Sequence, residues 1–517
     1  MTIKLNEDVL YETFGACPIP TLTSICLVST LFYRVALPHL LQDVTFKRNP
    51  ALLVRFLYFI INNSTAVTSR REDPTGETSI QRLKLFATDP GKHVHSIQLH
   101  ETLVFETISG GAISQLLTKA VALMPNLRSA TIRSSVEWIC LSSPDFFSTL
   151  LSRPQLHSLT FGSFGRLSSQ ALGEAVRSRR SEGLRLKSIR FDDGLDFDSD
   201  DPHSFVLTRN DGLGSLIFSC REYLEELNVG MCNLKDLLVQ SQTLPDGSTG
   251  LTRSIVYPNV ARLHFRSSPE VSVEDFALSF PFIRSLRCRN FATFEESHTL
   301  RGNHKPLLRH LVSLDCLYFP DALMILNCID PAPPLRRLSL STSLMRPITD
   351  NASLSVAERV LRGVRIFHIE LHCISDLTTW EFFKIRLSSV TYLDFVFSFR
   401  NEEQSRLEDV QDLDLFSSLP LAYLSTSFVL RSVSGDPLRI KSVALSYARN
   451  IRTLKFLDVC EKNYNRIEHS VEGRYWWKVI RTVLPGSEEQ DVRLEALTEA
   501  AGRRIRDEIQ FSLVPDS

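Results

Sequence analysis

The sequence lacks several patterns that define common functional classes. Its ten cysteines stand apart, and no two of them form the Cys-x-x-Cys pair that zinc and dithiol sites use. The Gly-x-Ser-x-Gly motif of serine hydrolases and the His-Glu-x-x-His motif of zinc proteases are also missing. We therefore expect no catalytic activity, no cofactor and no metal site, and we expect free thiols in a reducing compartment, the cytoplasm or the nucleus.

Long apolar runs and an excess of one charge are missing as well. The best membrane candidate, residues 22–41, contains Arg34 and His39, which are too polar for a bilayer span. Glu7 and Asp8 stand where a secretory signal needs basic and then apolar residues. Lysine and arginine number 58, aspartate and glutamate 59, and the net charge is −1. This balance disfavours a nucleic-acid or membrane-surface binder, so we expect neither partner.

The first 48 residues predict three short helices. Residues 5–14 show apolar positions at helical spacing, Pro18 and Pro20 break the chain, and Thr21 stands where it can cap the next helical run. So much apolar surface in so short a segment predicts a contact with another chain or with the rest of this one. The apolar pattern consists of Leu5, Val9, Leu10, Phe14, Leu22, Ile25, Val28 and Phe32.

The order of these residues, with Pro18 and the Leu27-Val28-Ser29 run, resembles the F-box motif in its fungal form. Asn6 and Cys17 depart from the family pattern, which usually has proline and leucine there. The resemblance implies a trihelical plug that docks on the Skp-type linker of a cullin–RING ubiquitin ligase. The positions that it assigns to linker binding are Leu5, Val9, Leu10, Pro18, Leu22, Ile25, Val28 and Phe32.

A six-residue pattern recurs through most of the remaining chain: apolar, two variable, apolar, one variable, apolar. It begins at residues 80, 94, 127, 156, 186, 224, 260, 283, 311, 335, 364, 390, 421 and 451. Helical stretches lie between these segments, and one strand plus one helix cannot bury its apolar side alone, so neighbouring units are expected to stack. The pattern resembles an irregular leucine-rich repeat. The alternative is an ordinary layered α/β domain with parallel strands.

The predicted fold is therefore α/β, an N-terminal trihelical F-box-like unit followed by a leucine-rich-repeat-like solenoid with a parallel β-sheet and outer helices. We place the F-box-like unit at 1–48, a helix and a linker at 49–79, the solenoid at 80–460 and a C-terminal helical cap at 461–517. The linker begins near Asn62. The cap contains an amphipathic helix from Glu488.

Basic residues recur at the variable positions of two neighbouring strand segments. Because adjacent strands lie about 4.8 Å apart, arginines at equivalent places would form a ladder that favours an acidic or phosphorylated client. The alternative is that these side chains pair with acids such as Glu270 or Asp315, or are solvated. The client-binding candidates are Arg262, His264, Arg266, Arg287 and Arg289.

These patterns favour a substrate-recruiting adaptor of a cullin–RING ubiquitin ligase, which binds a Skp-type linker through the N-terminal helices and a client protein through the repeats. The alternative is an interaction scaffold outside any ligase, in which the N-terminal helices cover one end of the repeats.

Overall fold

Short parallel strands recur along the chain in the computed structural model. It divides into two compact units, Met1–Val260 and Ala261–Ser517, which we call unit 1 and unit 2. The structure describes residues 7–69, 89–100, 103, 108–134, 136–162, 164–179, 183–191, 209, 211–229, 235–240, 253–265, 273–288, 308–316, 322, 325–326, 335–341, 358–371, 377–398, 416–430, 437–463, 471–483 and 490–513.

Unit 1 opens with helices and then alternates strands with helices. The strands are β1 (Asp43–Phe46), β2 (Ser96–Leu99), β3 (Ser129–Ile132), β4 (Ser158–Phe161), β5 (Ser188–Phe191), β6 (Glu226–Val229) and the short antiparallel pair β7 (Val239–Gln240) and β8 (Arg253–Ser254). The helices are α1 (Glu7–Gly15), α2 (Ile19–Ile25), α3 (Thr30–Gln42), α4 (Pro50–Ser69), a 3-10 turn (Pro90–His93), α5 (Ile108–Ala122), α6 (Val136–Ser142), α7 (Phe146–Leu151), α8 (Arg166–Ser178), α9 (Gly212–Cys220) and α10 (Lys235–Leu238).

Strands β1 to β6 pair in chain order, and every pair is parallel. A repeated backbone contact fixes their register just before each strand. The carbonyl oxygen of His95 accepts hydrogen bonds from the N–H groups of Arg128 (2.7 Å) and Ser129 (3.1 Å), and the carbonyl of Arg128 accepts from His157 (2.9 Å) and Ser158 (3.1 Å). The same residue of each repeat thus satisfies two donors of the next repeat.

Helices of neighbouring repeats are also joined through a cap. The carboxylate of Glu137 on α6 accepts hydrogen bonds from the N–H groups of Leu167 (2.7 Å) and Ser168 (2.9 Å) at the start of α8. The first N–H groups of a helix have no partner within the helix, and a negative charge there is favourable. Glu137 therefore stabilises the next helix of the array.

Unit 2 also consists mainly of strands, which become longer toward its end, and of helices. The strands are β9 (Arg262–Phe265), β10 (Ser285–Cys288), β11 (Ser313–Cys316), β12 (Arg337–Ser341), β13 (Ile366–Leu371), β14 (Tyr392–Ser398), β15 (Tyr423–Leu430), β16 (Phe456–Asn463), β17 (Val471–Val483) and β18 (Gln490–Leu497). The helices are α11 (Val273–Ser279), α12 (Leu377–Arg386), α13 (Pro437–Asn450) and α14 (Glu499–Leu513). Strands β9 to β16 pair in chain order and in parallel.

The α/β prediction with a parallel sheet and intervening helices is confirmed within each unit. Each segment that begins between residues 94 and 421 contains a strand that starts two residues after the segment begins. The last segment was placed three residues too early. Its strand begins at Phe456, because Leu454 rather than Ile451 occupies the first apolar position. The first segment, at 80–85, lies outside the described residues.

Three boundaries differ from the sequence prediction. Strand β1 lies inside the segment predicted to be helical, and the spacing of Leu41, Val44 and Phe46 matches the repeat pattern that should have revealed it. Helix α4 runs to Ser69, so the expected linker does not begin near Asn62. The segment 461–517 is not a purely helical cap: β16 and β17 pair antiparallel, as do β17 and β18.

Aromatic side chains fill the core between strands and helices. In unit 1 the ring of Phe161 lies 5.6 Å from both Phe147 and Phe191. In unit 2 the fully buried Trp380 lies 4.9 Å from Phe395 and 5.7 Å from Phe416, with edge-to-face geometry. Such pairs add to the area that each ring buries. None of the described helices combines the length and the apolar character that a membrane crossing would need.

Helix α14 packs on the sheet of unit 2 through a glycine. Gly502 is buried against the indole ring of Trp476, and a Cβ atom at this position would collide with that ring. The partly buried Ile505 and Ile509 continue the contact.

We predict that Gly502→Ala loosens α14, although alanine favours helices over glycine by about 1 kcal/mol. The added methyl group has no room beside Trp476. Amide hydrogen exchange across residues 499–513 should be faster in this variant and unchanged in the exposed control Ser512→Ala. Slower exchange in Gly502→Ala would contradict the described packing.

Candidate functional site

The three N-terminal helices have a hydrophobic core of their own. Its buried members are Leu10, Phe14, Leu22, Val35 and Ala36, which come from all three helices. Helix α3 starts at a capped position, since the Ser29 hydroxyl accepts a hydrogen bond from the N–H group of Phe32 (3.1 Å).

Other apolar side chains of the same unit point into solvent. The exposed fractions are 58% for Val9, 60% for Ile19, 86% for Leu27 and 68% for Val28, and Pro18 is exposed as well. Leu27 and Val28 lie in the turn between α2 and α3, where their N–H groups donate to Ser24 O (3.1 Å) and Ile25 O (3.0 Å). The turn therefore holds two adjacent apolar side chains outside the core.

The structure separates the linker-binding candidates into three groups. Leu10 and Leu22 are each less than a tenth exposed and pack in the unit's own core. Ile25 and Phe32 are half-buried beside that core.

Val9, Pro18 and Val28 are the candidates that reach solvent, and Leu5 lies outside the described residues. Ile19 and Leu27 are exposed positions that the list of candidates missed. A helical spacing of apolar residues selects those that face the core, and Ile19 and Leu27 do not belong to that spacing.

The three helices are also joined to the edge of the unit 1 sheet. Helix α3 leads without a break into β1, and the carbonyl oxygen of Gln42 accepts a hydrogen bond from the N–H group of His95 (3.0 Å). Strand β1 then pairs in parallel with β2. The carboxyl end of α3 is therefore fixed to the repeats, while the α2–α3 turn remains exposed.

The basic residues of β9 and β10 lie on neighbouring strands, as expected. The register places Arg262 beside Ser285 and His264 beside Arg287. However, Arg287 lies beside Asp315 of β11 and forms an ion pair with it, with 2.8 Å between Nε and Oδ2. Of the two alternatives, pairing with Asp315 is therefore the one that the structure shows for Arg287. Arg266 and Arg289 lie outside the described residues.

A buried polar cluster, absent from the sequence prediction, lies farther along unit 2. We call it the Asp458 cluster; its members are His368, Asp394, Tyr423, Ser425, Asp458 and Arg474. The Tyr423 hydroxyl donates to Asp458 (2.7 Å), and the Ser425 hydroxyl donates to the other oxygen of the same carboxylate (3.1 Å). Arg474 approaches Asp458 to 3.5 Å, and His368 Nδ1 lies 3.0 Å from Asp394 Oδ2.

Burial and charge pairing compete in this cluster, and burial prevails at Asp458. Burial raises the pKa of Asp458 from 3.8 to about 6, and the nearby Arg474 offsets this only in part. Burial also disfavours both charges of the next pair, but the hydrogen bond and the opposite charge outweigh it. As a result, the pKa of His368 lies above its ordinary value, and the pKa of Asp394 lies below its ordinary value. Both shifts favour the charged forms of His368 and Asp394, whereas Asp458 binds its proton more tightly than an ordinary aspartate does.

Helix α14 covers this region. Tyr392 and Tyr423 stack with 4.9 Å between ring centres and are almost fully buried, and Ile505, Ile509 and Leu513 pack on the same apolar cluster. The polar groups bind one another beneath the helix. Within the described residues, no three or more histidine, cysteine, aspartate or glutamate side chains are arranged to hold a metal ion.

No protein-family model matches the chain, and no curated protein matches it significantly.

We predict that Leu10→Ala destabilises the N-terminal helices by about 2–5 kcal/mol, because it removes a buried side chain and leaves a cavity. Leu27→Ala, at a position 86% exposed, should change their stability by less than about 0.5 kcal/mol. Native-state hydrogen exchange across residues 7–42 measures both effects. Equal effects would contradict the division into core and exposed residues.

We predict that deprotonation of Asp458 lowers the free energy of unfolding as the pH rises from about 4 to 6. The folded-state pKa of about 6 exceeds the ordinary 3.8, so the folded chain holds this proton more tightly than the unfolded chain. The protonated carboxyl group therefore contributes roughly 3 kcal/mol to the free energy of unfolding below pH 3.8. This contribution is lost as the pH rises through 6.

The comparison is urea unfolding of the wild type and Asp458→Asn at several pH values. Because the substitution also leaves Arg474 without its carboxylate, the informative quantity is the slope with pH. The variant should lack the decline between pH 4 and 6, and parallel curves for the two proteins would refute the assignment.

Proposed function

We propose that this protein is a substrate-recruiting adaptor of a cullin–RING ubiquitin ligase and that its three N-terminal helices dock on a Skp-type linker. The observation that supports this most is that the helices have their own core yet expose Val9, Ile19, Leu27 and Val28. Single exposed apolar residues are normal on a monomer, whereas several on one small unit are typical of an interaction site.

The energetics are compatible with docking through these side chains. Full burial of a large apolar side chain is worth about 1.5–3 kcal/mol, so the exposed portions of these four supply roughly 4–8 kcal/mol. Association itself costs about 4–15 kcal/mol. The four side chains therefore cover much of that cost, and further contacts, such as those of the exposed Pro18, are needed for a stable complex.

In this proposal the repeats bind the client, and the protein performs no chemistry itself. Simultaneous binding of linker and client raises the effective concentration of the client near the ligase. The outward faces of the strands are the surfaces available for this contact, because the opposite faces form the core.

The second proposal is an interaction scaffold whose N-terminal helices cover one edge of the repeats. The direct passage from α3 into β1 and the bond between Gln42 and His95 favour it. It gives the exposed Leu27 and Val28 no partner, and this distinguishes the two proposals.

We predict that the double substitution Leu27→Asp, Val28→Asp abolishes capture of a Skp-type linker, because both side chains lie outside the core and acquire charges there. The matched control is Ile385→Asp on α12 of unit 2, which is 76% exposed. Pull-down of the purified linker by each full-length protein measures the effect. Undiminished capture by the double variant, or absence of capture by the wild type, would argue for the scaffold.

A further inference from the structure

Matched positions of strands β1 to β5 carry a row of polar side chains. The register places Thr45, Gln98, Thr131, Thr160 and Arg190 side by side in this order. Their neighbours within each strand point to the opposite face, as strand alternation requires, and are mainly buried. The row therefore lies on the outward face of unit 1.

This row lines a pocket with a volume of about 230 Å³, to which Leu99, His100 and Arg133 also contribute. One water occupies about 30 Å³ in the liquid, so the space holds the equivalent of roughly seven or eight waters. Sites for drug-sized ligands measure about 300–1,000 Å³. The pocket therefore suits one small polar group.

Many hydrogen-bonding groups of the pocket are unused. Within the described residues, the side chains of Thr45, Gln98, Thr131 and Thr160 make no hydrogen bond, and the buried His100 Nδ1 has no partner. Thr160 and the His100 Nδ1 atom are buried, where polar groups normally find partners, whereas Thr45 and Gln98 are exposed and can bind water. A ligand with several acceptor oxygens would satisfy the hydroxyl and amide donors together.

The charges around the pocket favour an anion. Among the described residues that line it, Arg133 and Arg190 carry guanidinium groups and none carries a carboxylate. Arg190 binds the carboxylate of Glu226 at 2.8 Å, but 48% of its side chain stays exposed. Guanidinium groups bind anionic oxygens in planar, paired geometry, and the resulting hydrogen bonds are stronger than neutral ones.

We infer that this pocket binds a phosphoryl group. A carboxylate has two oxygens and one charge, whereas a phosphate monoester has three free oxygens and a charge of about −1.5 to −2, which suits the larger set of donors here. The pocket is open to solvent along the strand row, so the group can arrive on a peptide side chain or as free phosphate.

This inference deepens the client-binding half of the proposed function and rests on that half alone. The binding test needs no linker, so the docking proposal and the phosphoryl site can fail separately.

The test uses the full-length protein with three probes in calorimetric titration: inorganic phosphate, the peptide Gly-Ala-phosphoThr-Ala-Gly, and the same peptide with glutamate in place of phosphothreonine. Two variants remove ligand contacts with little change of shape. The first is the double substitution Thr131→Val, Thr160→Val, and the second is the single substitution Arg133→Met. The control is Lys187→Met. Lys187 forms an ion pair with Glu225 and is not among the residues that line the pocket, so this variant removes a positive charge elsewhere on the unit.

We expect the wild type and the control to bind a phosphoryl probe, and each pocket variant to bind it at least about tenfold more weakly. Preference for the phosphopeptide identifies a peptide source, and binding of inorganic phosphate alone identifies free phosphate. No binding of either probe at 10 mM (roughly the weakest affinity of interest), equal binding of the glutamate peptide, or pocket variants that match Lys187→Met would overturn the inference.

Discussion

The two-residue alternation of short parallel strands is the constraint on which both units depend. In each strand, alternate residues enter the core, and the others remain on the outward face. A slip of one residue in register would exchange these faces and expose the apolar set. The shared carbonyl acceptors before the strands, such as that of His95, hold the register, and they do so through backbone groups that any sequence supplies.

The same alternation leaves an outward row in each unit, and the two rows differ in chemistry. In unit 1 the row is rich in hydroxyl groups, and the side chains of Thr45, Gln98, Thr131 and Thr160 make no hydrogen bond within the described part of the chain. In unit 2 the corresponding side chains bind one another, as Arg287 and Asp315 do, or lie beneath α14, as the Asp458 cluster does. The first row therefore leaves more hydroxyl and amide groups available to a ligand, although Arg190 already binds Glu226.

The strands were predictable because their pattern involves neighbours within six residues. The same local pattern marks β1, where Leu41, Val44 and Phe46 were read as part of a helix. The antiparallel strands β17 and β18 were not predictable in this way. The spacing of their apolar residues also fits a helix, and only pairing between distant segments decides the outcome.

The candidate sites were predicted less well than the strands, because side-chain partners come from distant parts of the chain. Arg287 and Asp315 occupy the fifth position of neighbouring repeat segments, so the pattern allowed this ion pair, but it could not decide between a paired and a solvated arginine. Helical spacing likewise selected Leu10 and Leu22, which are apolar because they form the core. Exposed apolar residues such as Leu27 have no periodic signal, since the helix repeat marks the positions that face the core.

We propose that the exposed apolar residues of the N-terminal helices, rather than their core, form the docking surface for a Skp-type linker. Amide hydrogen exchange of the full-length protein, with and without saturating linker, tests this most directly. The account predicts slower exchange at residues 19–28 on addition of linker and unchanged exchange in α12. Unchanged exchange at 19–28 would contradict it.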